Sequence, residues 1–166
     1  MKEPEGTKVT LTWSEVMQAA TVGVMRRVTD LRDKRRGAYN ISEDAPVWDI
    51  DIEGACGEMA ACKVLNVFWS GAHGQLRVAD VGGRFQVRTR SKLTYELPLH
   101  PEDADDAVFI LVLGRAPHYN VKGWMYARDG KLPEYWGDPS GQNRPAFFVP
   151  RKLLLPLAEI PGGIVL

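Results

Sequence analysis

Glu58, Asp80, Gln86 and Arg88 are the residues whose types and order could do chemistry together. Two carboxylates and an amide are hard oxygen ligands of the kind that suit Mg²⁺ or Mn²⁺. A cation two residues after Gln86 on a strand points to the same side as the amide. The surrounding stretch, GGRFQVRTRSK, carries that alternation further. Arg84, Gln86, Arg88, Arg90 and Lys92 fall on one face, and Phe85, Val87, Thr89 and Ser91 on the other. Such a cationic face has two readings: a surface for an anionic partner, or an exposed sheet edge protected by charge against strand pairing.

These groups need elements to bring them together. TKVTLTW alternates apolar and polar residues as a short strand does, and Thr12 with Glu15 forms a capping box at the start of a helix. Trp13, Val16, Met17, Ala20, Val24, Val28 and Leu31 follow three- and four-residue steps, which predicts an amphipathic helix to about Arg35, ended by Gly37. Its basic end, RRVTDLRDKRR, suits either the helix dipole or a phosphate contact.

A second helix is expected from about Asp49 to Leu65. Its second half is apolar nearly all round, which marks a helix packed on several sides. Glu58 stands at the edge of that run, and Gly54, one turn earlier, would let another backbone approach beside it. A tight turn at Gly82-Gly83 would fold Asp80 back toward the start of the basic strand. AVFILVLGR (107–115) has the look of a central buried strand, and YNVKGWMYAR (119–128) reads as another. KLPEYWGDPSGQNRP reads as an irregular excursion, followed by a short strand and a short terminal helix or turn. The pattern predicts one α/β domain over residues 1–166.

Composition excludes several classes. Hydrophobic residues make up 45% and charged residues 25%, so neither disorder nor a membrane span is expected. MKEPEGTK has no apolar core of the signal-peptide kind, and a cytoplasmic location is expected. Lys and Arg number 21, as do Asp and Glu, so the neutral total conceals local basic patches. Cys56 and Cys62 match neither a redox pair nor a zinc pattern; on one helix they lie about 240° apart and read as buried, reduced thiols. His73, His100 and His118 are scattered, which argues against a three-histidine zinc site. Asp103, Asp105 and Asp106 read as a solvated loop. Tyr119, Trp124, Tyr126, Tyr135 and Trp136 could stack bases, and core packing is the plainer reading.

The order of the first four residues resembles the PD-(D/E)XK nuclease superfamily: a helix-borne acid, an Asp at a turn, then an acid or Gln, any residue, and a Lys. The matching pieces are Glu58 in GACGEMAAC, Asp80 in VADVGG and Gln86-Val87-Arg88 in FQVRTRS, and the similarity spans about residues 50–115. The resemblance implies a restriction-endonuclease-like core, with a central mixed sheet flanked by helices. It implies hydrolysis of DNA phosphodiesters by a chain similar to uncharacterised phage and prophage members. Glu58, Asp80 and Gln86 would hold Mg²⁺ or Mn²⁺, Arg88 would stabilise charge on the phosphate, and Arg84, Arg90 and Lys92 would hold neighbouring phosphates of the DNA. Two residues depart from the pattern. Gln86 replaces the usual acid, and Arg88 replaces a lysine with a group that stays charged at any biological pH. Metal-bound water has a lowered pKa, so hydrolysis does not require a side-chain base. The alternative is a catalytically inactive member that binds DNA or a protein partner.

Overall fold

The computed structural model describes residues 2–33, 46–71 and 80–163. The predicted end of the first helix at Gly37, the NISED part of the following loop, His73 and the stretch immediately before Asp80 lie outside those residues.

Strand β1 (Thr7–Thr10) runs into helix α1 (Trp13–Arg32) through the expected capping box. Glu15 N–H donates to Thr12 Oγ1 at 3.2 Å, and Thr12 N–H donates to Glu15 Oε2 at 2.6 Å, which satisfies two donors that a helix start leaves open. Helix α2 (Val47–Leu65) begins two residues before the expected Asp49 and ends at Asn66, whose left-handed φ of 52° closes the last turn. Strands β2 (Phe85–Arg90), β3 (Leu97–Leu99), β4 (Val108–Arg115) and β5 (His118–Tyr126) follow, then the single turn α3 (Ala127–Gly130) and strands β6 (Trp136–Gly137) and β7 (Ala146–Val149).

The main sheet is mixed and flanked by helices. Its order is β1-β5-β4-β2, with β2 parallel to β4 and the other pairs antiparallel. A second sheet, β3-β7-β6, is antiparallel throughout. Strand β4 is buried on both faces, as its continuous apolar run predicts. Val108, Ile110 and Val112 join the core under α2, whereas Phe109, Leu111 and Leu113 join Leu97, Leu99 and Val149 of the small sheet. Burying each of these leucines contributes roughly 1.5–3 kcal/mol relative to exposure.

One expectation about α1 is overturned. Most of the stripe predicted to face the core is turned outward: Trp13 is 74% and Met17 72% exposed, and Val24, Val28 and Leu31 are exposed with them. The helix packs instead through Ala19, Gly23 and Arg27. A Cβ on Gly23 would lie 2.6 Å from Ile52 Cα, so the two helices meet backbone to backbone and only a glycine fits. Small residues, not the apolar stripe, select the contact face.

Other expectations hold. Cys56 and Cys62 are buried and unbridged, and Tyr119 and Trp124 are in the core. Trp136 departs from the core reading: it is exposed and packs edge-on against Phe147. Among the described residues, no helix is long and apolar enough to cross a membrane.

Candidate functional site

Helix α2 is pressed onto β2 at Gly57, where a Cβ would fall 1.9 Å from Thr89 Oγ1. This contact, rather than Gly54, is the close approach beside Glu58. Gly54 has no neighbouring atom within 4 Å of where its Cβ would lie and opens onto a cleft. Gly54 lies one turn nearer the start of α2, at the cleft that Thr89, Arg90 and Tyr95 also line.

Pressed down in this way, α2 buries Glu58. Arg26 of α1 grips it with two bonds, Nη1 to Oε1 at 2.6 Å and Nη2 to Oε2 at 2.8 Å, and Trp69 Nε1 donates to Oε2 at 3.2 Å. Arg27 pairs with Asp51 at 2.6 Å. These two arginines therefore do neither of the things expected of the basic helix end: they lock α1 to α2.

Asp80 reaches the same neighbourhood from the other side. Val81 and Phe85 exchange backbone hydrogen bonds of 3.0 and 3.1 Å around Gly82 and Gly83, whose φ values of 57° and 67° are left-handed. This is the tight turn the glycine pair predicts. It folds Asp80 along the outer edge of β2, where Oδ2 accepts the Val87 N–H at 2.8 Å. Burial, and then the negative charge of Glu58, push the Asp80 carboxyl up to about 6 from an ordinary 3.8; the Val87 N–H and the charges of Arg88 and Arg26 oppose the rise. Burial, and then the charges of Glu58 and Asp80, push the Cys62 thiol up to about 12. One small region thus holds two carboxylates that feel each other.

Gln86 and Arg88 leave β2 on the opposite face. Their register partners on β4 are Phe109 and Leu111, which belong to the core under the small sheet, whereas Phe85 and Val87 belong to the core under α2. Arg88 lies over the Phe109 ring at 4.6 Å and pairs with both oxygens of Asp103, at 2.9 and 3.1 Å. Asp103 Oδ2 also accepts the His100 N–H at 2.8 Å. The reading of Asp103 as part of a solvated loop is therefore corrected: its carboxylate is buried because Arg88 and a backbone donor satisfy it.

The remaining cations divide. Arg84 is exposed, stacks on Phe85 and lies beside Gly162. Arg90 stacks on Tyr95 at 4.6 Å. Lys92 falls beyond the end of β2, 5.4 Å from the same ring, so the predicted alternation stops one step short of it.

Of the four residues singled out, Glu58 and Asp80 are brought together. Arg88 acts on Asp80 through its charge from the other face, and Gln86 shares that other face. Among the described residues, no three His, Cys, Asp or Glu side chains converge as a ligand set. Two carboxylates are the hard oxygen donors this side of the sheet could offer a divalent ion, and both oxygens of Glu58 are engaged by Arg26. Sequence reasoning missed Arg26 and Trp69 as partners of Glu58, and Asp103 as partner of Arg88. No sequence signal marks such pairs, which are separated by 32, 11 and 15 residues. Comparison with protein families, curated proteins and solved structures returned no match.

Proposed function

We propose that the chain is a metal-dependent nuclease with a restriction-endonuclease-like core, hydrolysing phosphodiester bonds of DNA and of the phage or prophage kind. The observation that carries this reading is the nearness of Glu58 and Asp80, 22 residues apart in sequence, with Asp80 raised by burial and then by its acidic neighbour. Two buried carboxylates in repulsion are what a site for Mg²⁺ or Mn²⁺ requires. Gln86, the third oxygen donor of the motif, lies on the other face of β2 and does not join this pair.

A divalent ion held by Glu58 and Asp80 would supply Lewis-acid chemistry to the phosphate and lower the pKa of a water nucleophile. The protein's own groups do the rest. Arg26 and Trp69 hold the Glu58 carboxylate in one orientation, and the Val87 N–H does the same for Asp80. Arg88, paired with Asp103 on the other face of β2, contributes positive charge at a distance rather than a direct bond to the reacting phosphate. Arg84, Arg90 and Lys92 hold neighbouring phosphates, which adds affinity with little sequence preference and makes binding salt-dependent.

The test is incubation of linear, nicked and single-stranded DNA with the protein in Mg²⁺, Mn²⁺ or EDTA. Cleavage that needs the metal and disappears in Asp80→Ala and Glu58→Ala is the expected result; cleavage unchanged in both variants ends the proposal. A second reading, a nuclease-like fold that binds DNA or a protein partner without cutting, is favoured by Arg26 already neutralising Glu58 and by Arg88 standing in place of lysine. Arg88→Lys separates the two, because a gain of cleavage would mean that the rest of the site is intact.

A further inference from the structure

The face of β2 turned away from the helices opens into a cleft of about 640 Å³, between that strand and the small sheet. Its size lies within the range of roughly 300–1,000 Å³ typical of small-molecule sites. Arg88, Arg90, Arg144 and His100 line it, with Tyr95 and Phe148 as aromatic walls and Glu96 as the one acid in the lining.

Two residues give this lining a preference for anions. Arg88 is neutralised by Asp103, but Arg90 makes no ion pair among the described residues and only stacks on Tyr95. Burial holds the Arg90 guanidinium below its ordinary value, as a desolvated cation with no acidic neighbour requires. Finally, Arg144 Nη2 is buried and makes no hydrogen bond among the described residues, an arrangement that costs about 1–3 kcal/mol unless an acceptor meets it. A phosphate supplies such an acceptor in the fork geometry that guanidinium favours.

We propose that this cleft binds one nucleotide, its phosphate held between Arg90 and Arg144 and its base laid against Tyr95 and Phe148. The choice of a deoxynucleotide over another phosphate ester rests on the nuclease reading; the preference for a phosphate with a flat aromatic group attached does not. The site is distinct from the carboxylate pair, which lies on the helix side of β2. It gives a DNA strand a second anchor, filled either by a phosphorylated strand end or by a free mononucleotide.

The experiment is calorimetric titration at low salt in EDTA, with deoxyadenosine 5′-monophosphate, deoxyadenosine, inorganic phosphate, and an oligonucleotide with or without a 5′-phosphate. The monophosphate is expected to bind more tightly than phosphate, and about tenfold or more tightly than the nucleoside. Arg90→Gln and Arg144→Gln each weaken it about tenfold, Arg144→Lys restores part of the loss, and the exposed Lys152→Gln changes nothing. Thermal melts establish that each variant is folded. A preference for the 5′-phosphorylated oligonucleotide identifies the strand end as occupant, and equal binding of the two oligonucleotides identifies the free nucleotide. Absence of monophosphate binding, equal binding of nucleoside and nucleotide, or unchanged binding in both glutamine variants overturns the proposal. Asp80→Asn keeps the binding while losing cleavage, so a chain that binds the monophosphate and never cuts DNA refutes the nuclease reading alone. A chain that cuts and does not bind refutes the cleft alone.

Discussion

On the helix-covered face of the main sheet, Arg26 pairs with Glu58 in the neighbourhood of Asp80; on the opposite face, Arg88 pairs with Asp103 beside a cleft that Arg90 and Arg144 also line. Both faces use the same device, a bidentate arginine–carboxylate contact, with opposite charge left over. On the helix side, burial and then the charge of Glu58 raise Asp80. The small-sheet side retains guanidinium donors. Strand β2 carries the division, since its alternate residues belong to different cores. The lesson is that a strand with a mixed charge pattern can divide two environments, with buried carboxylates on one side and guanidinium groups on the other.

The sharpest way to break this comparison is to remove one member of each pair. Arg26→Ala leaves Glu58 buried beside Asp80, and Asp103→Ala leaves Arg88 buried without its carboxylate; each is expected to destabilise by about 3–5 kcal/mol in denaturant titration. Rescue should differ. Mg²⁺ should raise the melting temperature of the first variant and phosphate that of the second. The reverse pattern would show that the two faces do not differ in sign.

Next in size is the pH dependence of the helix side. A raised carboxyl pKa means that the folded chain holds the Asp80 proton more tightly than the unfolded chain does. Stability from this group is therefore present when it is protonated and is lost as pH climbs from about 4 through about 6. Asp80→Asn, which keeps an acceptor for Val87 N–H, should be more stable than the parent at pH 7 in EDTA by up to about 3 kcal/mol. The difference should vanish below pH 4. A pH-independent difference would mean that Asp80 is not raised by burial and Glu58.

The smallest effects test the contact that seats α2. Gly57→Ala drives a methyl into Thr89 and should destabilise by about 1–3 kcal/mol, whereas Gly54→Ala, which meets nothing, should stabilise by about 0.5–1 kcal/mol through helix propensity. Thermal melts of the two distinguish a tight helix-to-sheet approach at Gly57 from a general need for glycine in this helix.

The sequence by itself determined what depends on near neighbours in the chain. Thr12 and Glu15 cap α1 because a capping box spans only three residues, Gly82-Gly83 turns because only glycine takes those φ values freely, and the apolar run from Val108 is central because both its faces need cover. The meeting of Glu58 and Asp80 was legible to the extent that a turn and a buried helix could be read, and no further. Tertiary structure alone decided which side of α1 is buried, because periodicity reveals a stripe but not its partner, and Ala19 and Gly23 allow a closer backbone approach than Trp13 or Met17 would. It alone decided that Arg26 serves Glu58 and that Arg88 serves Asp103. A buried charge takes whichever opposite charge the packing brings within hydrogen-bond distance, and that proximity is set by the fold as a whole.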